Sequence, residues 1–245
     1  MALVSFFALD ALESFLKLWP GVQEPTGGTI FMDTLPPNFV PSLPFYPSCM
    51  PSSTKRPIHL TTWQKYALST ALHTVTGFAF LAGFGMCYDL LSLVGVVFLG
   101  HLPSSWPPSW DAPWLSTSLH ELWARRWHQF LRQTFLVMGG FPLSFLFTLV
   151  GIPGGTRLGL VLGCFAASGA FHDFAMYAMG RGLDSRVFLF FFSQGLLVIG
   201  EHLWRKVTGR RVGGLWGHVW VLAVIFIGAQ PLGTYLIVMP FLARI

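Results

Sequence analysis

The chain has 245 residues, of which 53% are hydrophobic, 16% aromatic and only 10% charged. Average globular proteins carry about 25% charged residues, so the polar surface needed for a water-soluble fold is missing, and disorder, a coiled coil and a disulfide scaffold are excluded as well. The 15 basic and 10 acidic residues leave a net charge of +5, which fits anionic head groups or a phosphorylated ligand at a membrane surface and not nucleic acid.

Taken in chain order, residues 2–19 place Phe6, Phe7, Leu9, Leu12, Phe15 and Leu18 at helical spacing among Asp10, Glu13 and Lys17. That pattern predicts an amphipathic helix lying on a membrane, and the missing basic lead region makes it a poor signal peptide. Residues 20–57 hold Pro36, Pro37, Pro41, Pro44, Pro47 and Pro51. A loop is expected there, because each Pro removes a donor and clashes with the preceding turn. Residues 1–57 are thus expected to form an N-terminal region and 58–245 a membrane domain. The apolar stretch from Trp63 to Leu99 exceeds the roughly 20 residues of one span. Tyr88-Asp89 marks either a break between two helices or the end of the first. A Pro-rich loop follows, and its Trp106, Trp110 and Trp114 suit the head-group boundary.

Ser118-Leu119-His120-Glu121 reads as a capping box opening an amphipathic, interfacial helix that runs on through Arg132. Further apolar segments follow at 134–151, 157–179, 187–204 and 215–240, with Pro142 and Pro231 expected to kink two of them. The expected fold class is all-α, a polytopic membrane helix bundle of about five or six spans plus interfacial helices. No internal repeat is visible, which disfavours a transporter built of paired halves. Loop charge does not settle the orientation, since Arg181 and Arg186 oppose Arg205, Lys206, Arg210 and Arg211. Cys49, Cys87 and Cys164 are far apart, in no metal-ligand spacing, and read as reduced.

Ionisable groups inside an apolar span are functional candidates by default. The sharpest is His172-Asp173, deep in its segment and preceded by the small residues Ala166, Ala167, Ser168, Gly169 and Ala170, which let a ligand approach. A neutral imidazole there could act as a general base, or simply hydrogen-bond across helices. Asp173 points about 100° away and serves a different partner. The second feature is the run Trp123 to Arg132, where Arg125 and Arg132 lie near the face of His128 and keep its imidazole neutral by cationic crowding. Its arginines could take phosphate groups bidentately, or grip lipid phosphates as an interfacial helix. Third, Gln194 and Glu201 are seven residues apart on one apolar helix face, and Glu201 could reach water or pair with Arg205. His73 is a further buried candidate. GxSxG, Walker, HExxH and DDxxD patterns are absent.

Two of these blocks carry a resemblance. The run Ser118-Leu119-His120-Glu121-Leu122-Trp123-Ala124-Arg125-Arg126-Trp127-His128-Gln129-Phe130-Leu131-Arg132 resembles the FWxRRWHQxxR signature of the wax synthase-like branch of the membrane-bound O-acyltransferase superfamily. Ser168-Gly169-Ala170-Phe171-His172-Asp173 resembles its SGxxHE/D motif, and Gln194 to Glu201 followed by Leu215-Trp216 and Trp220 is similar to its tail. The branch includes plant wax synthases and fungal acetyltransferases of terpenoid pathways, and this chain reads as a shortened member with fewer spans than most.

The resemblance implies acyl transfer, with acetyl the expected group, from acyl-CoA to a hydrophobic alcohol such as a terpenoid or fatty alcohol. It implies His172, His128 and Asp173 as catalytic residues, His172 being the base and His128 orienting the thioester. Arg125, Arg126, Trp127, Gln129, Arg132, Gln194 and Glu201 are the implied substrate- and CoA-binding residues. Neither a metal nor a tightly bound cofactor is expected; the partners are acyl-CoA, the alcohol and the bilayer, and the location an endoplasmic-reticulum membrane. The rival readings are an intramembrane terpenoid cyclase or isomerase using the same His/Asp pair, and a non-catalytic membrane scaffold.

Overall fold

The computed structural model describes residues 2–17, 34–35, 58–178, 183, 185–228 and 230. Most of the Pro-rich stretch, and with it the expected boundary at 57/58, lies outside the described residues, as do Cys49, Arg181 and Pro231. Among the described residues the fold is all-α apart from one two-residue antiparallel bridge between β1 (Thr34–Leu35) and β2 (Ile58–His59). The chain forms two compact units, one up to Trp106 that also includes Gln230, the other Pro107–Gly228.

In the first unit α1 (Ala2–Lys17) is helical as its spacing predicts, and Leu9 lies over Gly83 of α2 (Thr62–Val97). The second helix is one continuous element of 36 residues, about 54 Å long at 1.5 Å per residue. Tyr88-Asp89 breaks nothing: no Pro or Gly pair interrupts the turn, and the Ser92 hydroxyl donates to the Asp89 carbonyl within the helix (2.8 Å). The Thr61 amide is capped by the Gln64 side chain (2.9 Å). His73 is held inside this unit, its Nδ1 donating to the Ser69 carbonyl at 2.6 Å. Gln230 joins the same polar group, accepting from Ser69 Oγ and donating to Thr70 Oγ1.

The second unit contains the short helices α3 (Leu119–Glu121), α4 (Arg132–Phe135) and α5 (Phe141–Leu149), then α6 (Gly155–Ala178), α7 (Ser185–Thr208) and α8 (Gly214–Gly228). Ser118 caps α3 as its spacing predicts, accepting from the Glu121 amide at 3.0 Å. The single amphipathic helix expected from Ser118 to Arg132 is not formed. After α3 the backbone widens into a π-turn over Leu122–Arg126, leaves helical geometry at Trp127 and His128, and restarts through a 3-10 turn at Gln129–Leu131. A second π-turn, Leu136–Gly140, directly precedes Pro142, whose missing N–H and ring forbid a regular α-turn there.

Helix α6 packs on α5 and the turn before it through a row of glycines at four-residue spacing, Gly155, Gly159 and Gly163. A Cβ at Gly159 would overlap the Ser144 backbone, and one at Gly163 the Gly139 carbonyl. In lipid, where no hydrophobic effect draws helices together, such close backbone approach is a main source of packing energy. Four of the described helical stretches, Thr62–Val97, Gln129–Leu149, Gly155–Ala178 and Ser185–Thr208, are long and apolar enough to cross a membrane. Helix α8 is apolar but 15 residues long. The chain is an integral membrane protein.

Candidate active site

His172 stands near the C-terminal end of α6. Its Nδ1 lies 2.7 Å from the Ser168 carbonyl oxygen, one turn back. A carbonyl only accepts, so Nδ1 carries the proton, and in the neutral ring the basic lone pair is on Nε2. Phe191 of α7 stacks on the ring with centroids 4.1 Å apart, and Phe171 meets it edge-on at 5.7 Å. A ring held by one hydrogen bond and two aromatic faces has little freedom to turn.

His128 reaches the same place by the break in the backbone. Its φ and ψ of 11° and 71° end the π-turn, and Gln129 holds that end closed by donating from Nε2 to the Trp127 carbonyl (2.7 Å) and the Trp123 carbonyl (3.2 Å). The His128 ring is surrounded by Trp110 (5.6 Å), Trp127 (5.4 Å) and Phe130 (5.8 Å). The fourth neighbour is His172, with ring centroids 6.4 Å apart and planes inclined at 27°. Burial pushes the His128 pKa down to about 4, and the nearby His172 imidazole adds to the effect. The imidazole is therefore neutral at physiological pH because it is buried, not because of the arginine crowding expected from spacing.

Trp123 completes the aromatic surround, edge-on to Trp127 (5.7 Å), Phe165 (5.7 Å) and Phe191 (6.2 Å). The indole N–H groups of Trp110, Trp123 and Trp127 are buried with no hydrogen-bond partner among the described residues, as is the Gln194 Oε1 atom. Buried polar atoms are normally paired, so these three donors and one acceptor can bond a molecule that enters the site.

The other predicted site residues divide. Arg125 and Arg132 are exposed. Arg126 is engaged: its Nε donates to Glu121 Oε1 (2.8 Å) and its Nη1 to the Asp111 carbonyl (2.9 Å). Glu121 also accepts from the Thr117 amide at 2.9 Å, and that bond, aided by Arg126, holds its pKa at about 2. Gln129 closes the backbone break, Trp127 belongs to the aromatic surround, and Asp173 is half-buried beside His172 on α6. Gln194 is 1% exposed on α7, one turn beyond Phe191. Glu201 does not reach water. It is buried and accepts from the Leu119 amide (2.7 Å), the His120 amide (3.0 Å) and Trp220 Nε1 (3.0 Å). It thereby ties α3, α7 and α8 together. Trp110, Trp123 and Phe191 also belong to the site, and nothing in their local spacing marks them as site residues.

Among the described residues no three His, Cys, Asp or Glu side chains could hold a metal ion.

Residues 106–193 match the Membrane bound O-acyl transferase family. That segment contains both His128 and His172 and stops just short of Gln194. A protein of Arabidopsis thaliana named "Probable long-chain-alcohol O-fatty-acyltransferase 1" is 26% identical over 132 residues, which cover 51% of this chain and 39% of the relative. Another from the same plant, "Acyl-CoA--sterol O-acyltransferase 1", is 29% identical over 105 residues, covering 42% of this chain and 30% of the relative. The chain thus matches only 39% and 30% of the length of these curated relatives. No solved structure matches it.

Proposed function

We propose that the chain carries out O-acyl transfer within a membrane, moving an acyl group from acyl-CoA to the hydroxyl of a hydrophobic alcohol. The observation that carries this reading is the pairing of His128 and His172, 6.4 Å apart, with His172 Nδ1 committed to a backbone carbonyl. His172 Nε2 accepts the proton of the alcohol as its oxygen attacks the thioester carbonyl. The tetrahedral intermediate collapses with loss of the CoA thiolate, and the proton held on His172 passes to that sulfur, leaving ester and free CoA. Neutral His128 donates a hydrogen bond to the carbonyl oxygen as negative charge develops there. Arg125 and Arg132, exposed beside this segment, are the cations offered to CoA phosphates, while Arg126 positions the loop through Glu121 and Asp111.

The family match and the two plant relatives, whose names speak of long-chain alcohols and sterols, support the reaction class. Acetyl as the transferred group, a terpenoid acceptor and an endoplasmic-reticulum membrane complete the proposal and rest on the motif resemblance. The test is to incubate the purified chain with labelled acetyl-CoA or long-chain acyl-CoA and a panel of fatty, sterol and terpenoid alcohols. Labelled ester from at least one pair supports the reading; none from any pair, with the protein folded, contradicts it.

A further inference from the structure

The end of the second unit farthest along α6 from His172 carries a cluster of positive charge that the acyl-transfer reading does not use. Arg157, in the first turns of α6, reaches α7, its Nη1 lying 3.1 Å from His202 Nε2. That contact brings Arg157 to the level of Arg205 and Lys206 at the end of α7, and Arg210 and Arg211 follow in the link to α8. All five cations are exposed.

Helix dipoles do not account for this set. Arg205 and Lys206 sit in the last turn of α7, where a cation is favoured. Arg210 and Arg211 lie beyond the helix, and Arg157 lies near the N-terminal end of α6, where a cation is disfavoured. Among the described residues no carboxylate forms an ion pair with them. Glu201, the nearest acid along α7, is buried and already accepts three N–H groups. The cluster is also flanked by aromatic rings turned outward, Trp204 at 53% and Trp216 at 83% exposure. Exposed tryptophans beside basic residues at the end of an apolar span mark the head-group boundary. Juxtamembrane clusters of four to eight Lys and Arg attract anionic lipid, about 1 kcal/mol for each cation near the surface.

We infer that Arg157, Arg205, Lys206, Arg210 and Arg211 form a binding surface for the head groups of anionic phospholipids, with Trp204 and Trp216 set in the boundary beside it. The surface is separate from the histidine pair: Arg157 and His172 are fifteen positions apart on α6, roughly 22 Å along its axis.

The test reconstitutes the full chain in nanodiscs of phosphatidylcholine doped with phosphatidylserine, extracts it briefly in detergent and quantifies both lipids retained. Phosphatidylserine should be enriched several-fold over the input, and high salt should remove the enrichment. The triple variant K206Q/R210Q/R211Q should retain lipid at the input ratio, with thermal unfolding unchanged because these side chains are exposed. The salt series on the unaltered chain gives the same discrimination if that variant does not fold. Equal enrichment in the triple variant, or at high salt, overturns the inference. So does displacement of phosphatidylserine by free CoA, which would assign the cluster to a soluble phosphate ligand.

Discussion

The imidazoles of His128 and His172 lie 6.4 Å apart, centroid to centroid, although 44 positions separate them in the chain. The pairing depends on two local events. The helix that begins at Ser118 ends at Arg126, which frees His128 from helical geometry. Phe191 stacks on His172 at 4.1 Å and touches Trp123 at 6.2 Å, so one ring of α7 braces both sides.

Phe191 should therefore matter more to function than its apolar character suggests. F191A removes a buried ring and is expected to cost about 3 kcal/mol or more of stability. F191L keeps most of the volume but not the stacking face. Thermal unfolding should separate the two variants, with F191L near the parent, while acyl transfer should fall in both.

Glu201 is predicted to act on stability and not on substrate. E201A leaves three N–H donors without their acceptor, and each buried orphan costs about 1–3 kcal/mol. A large drop in unfolding temperature is expected for E201A and a smaller one for E201Q, which keeps one carbonyl oxygen. For E201Q, KM for acyl-CoA should be unchanged; a rise in KM at full stability would return Glu201 to the substrate.

Acid should weaken the protein in two windows with the same sign. The His128 pKa falls from 6.5 to about 4 on folding, so below 6.5 the unfolded chain takes up a proton that the folded chain refuses until about 4. Its contribution is full above pH 6.5 and is lost as pH falls towards 4. The Glu121 pKa falls from 4.5 to about 2, so the bonds to the Glu121 carboxylate, the Thr117 amide first and Arg126 second, contribute above pH 4.5 and are lost as pH falls through 2. Unfolding temperatures measured from pH 7.5 to 4 should decline for the parent and decline less for H128Q.

Two glycines give a matched contrast. G159A places a Cβ into the Ser144 backbone and should separate α6 from α5, seen as loss of folded monomer after detergent extraction. G200A meets nothing within 4 Å on a helix face and should be neutral or slightly stabilising, since Ala is the better helix former.

Much of this is legible one segment at a time. The Ser118 cap, the helical N-terminal segment and the depth of His172 in its helix each follow from local spacing. The glycine row at 155, 159 and 163 is also visible as a period of four, yet its weight comes only from the backbone of α5 beneath it. The break at His128 has no Pro or Gly to announce it. It is held by Gln129 reaching the carbonyls of Trp123 and Trp127, so residues that read as one amphipathic face serve to end the helix. Gln194 and Glu201 do share a buried face as their spacing predicts, but the donors that claim Glu201 come from residues some 80 positions earlier, beyond any local pattern.

The most direct measurement is the rate of ester formation from labelled acyl-CoA by the parent chain and by H172A and H172Q, each shown to be folded by its thermal transition. Loss of the base should lower the rate about 10²–10⁴-fold in both variants. Ester formation by folded H172A at the parent rate would contradict the account.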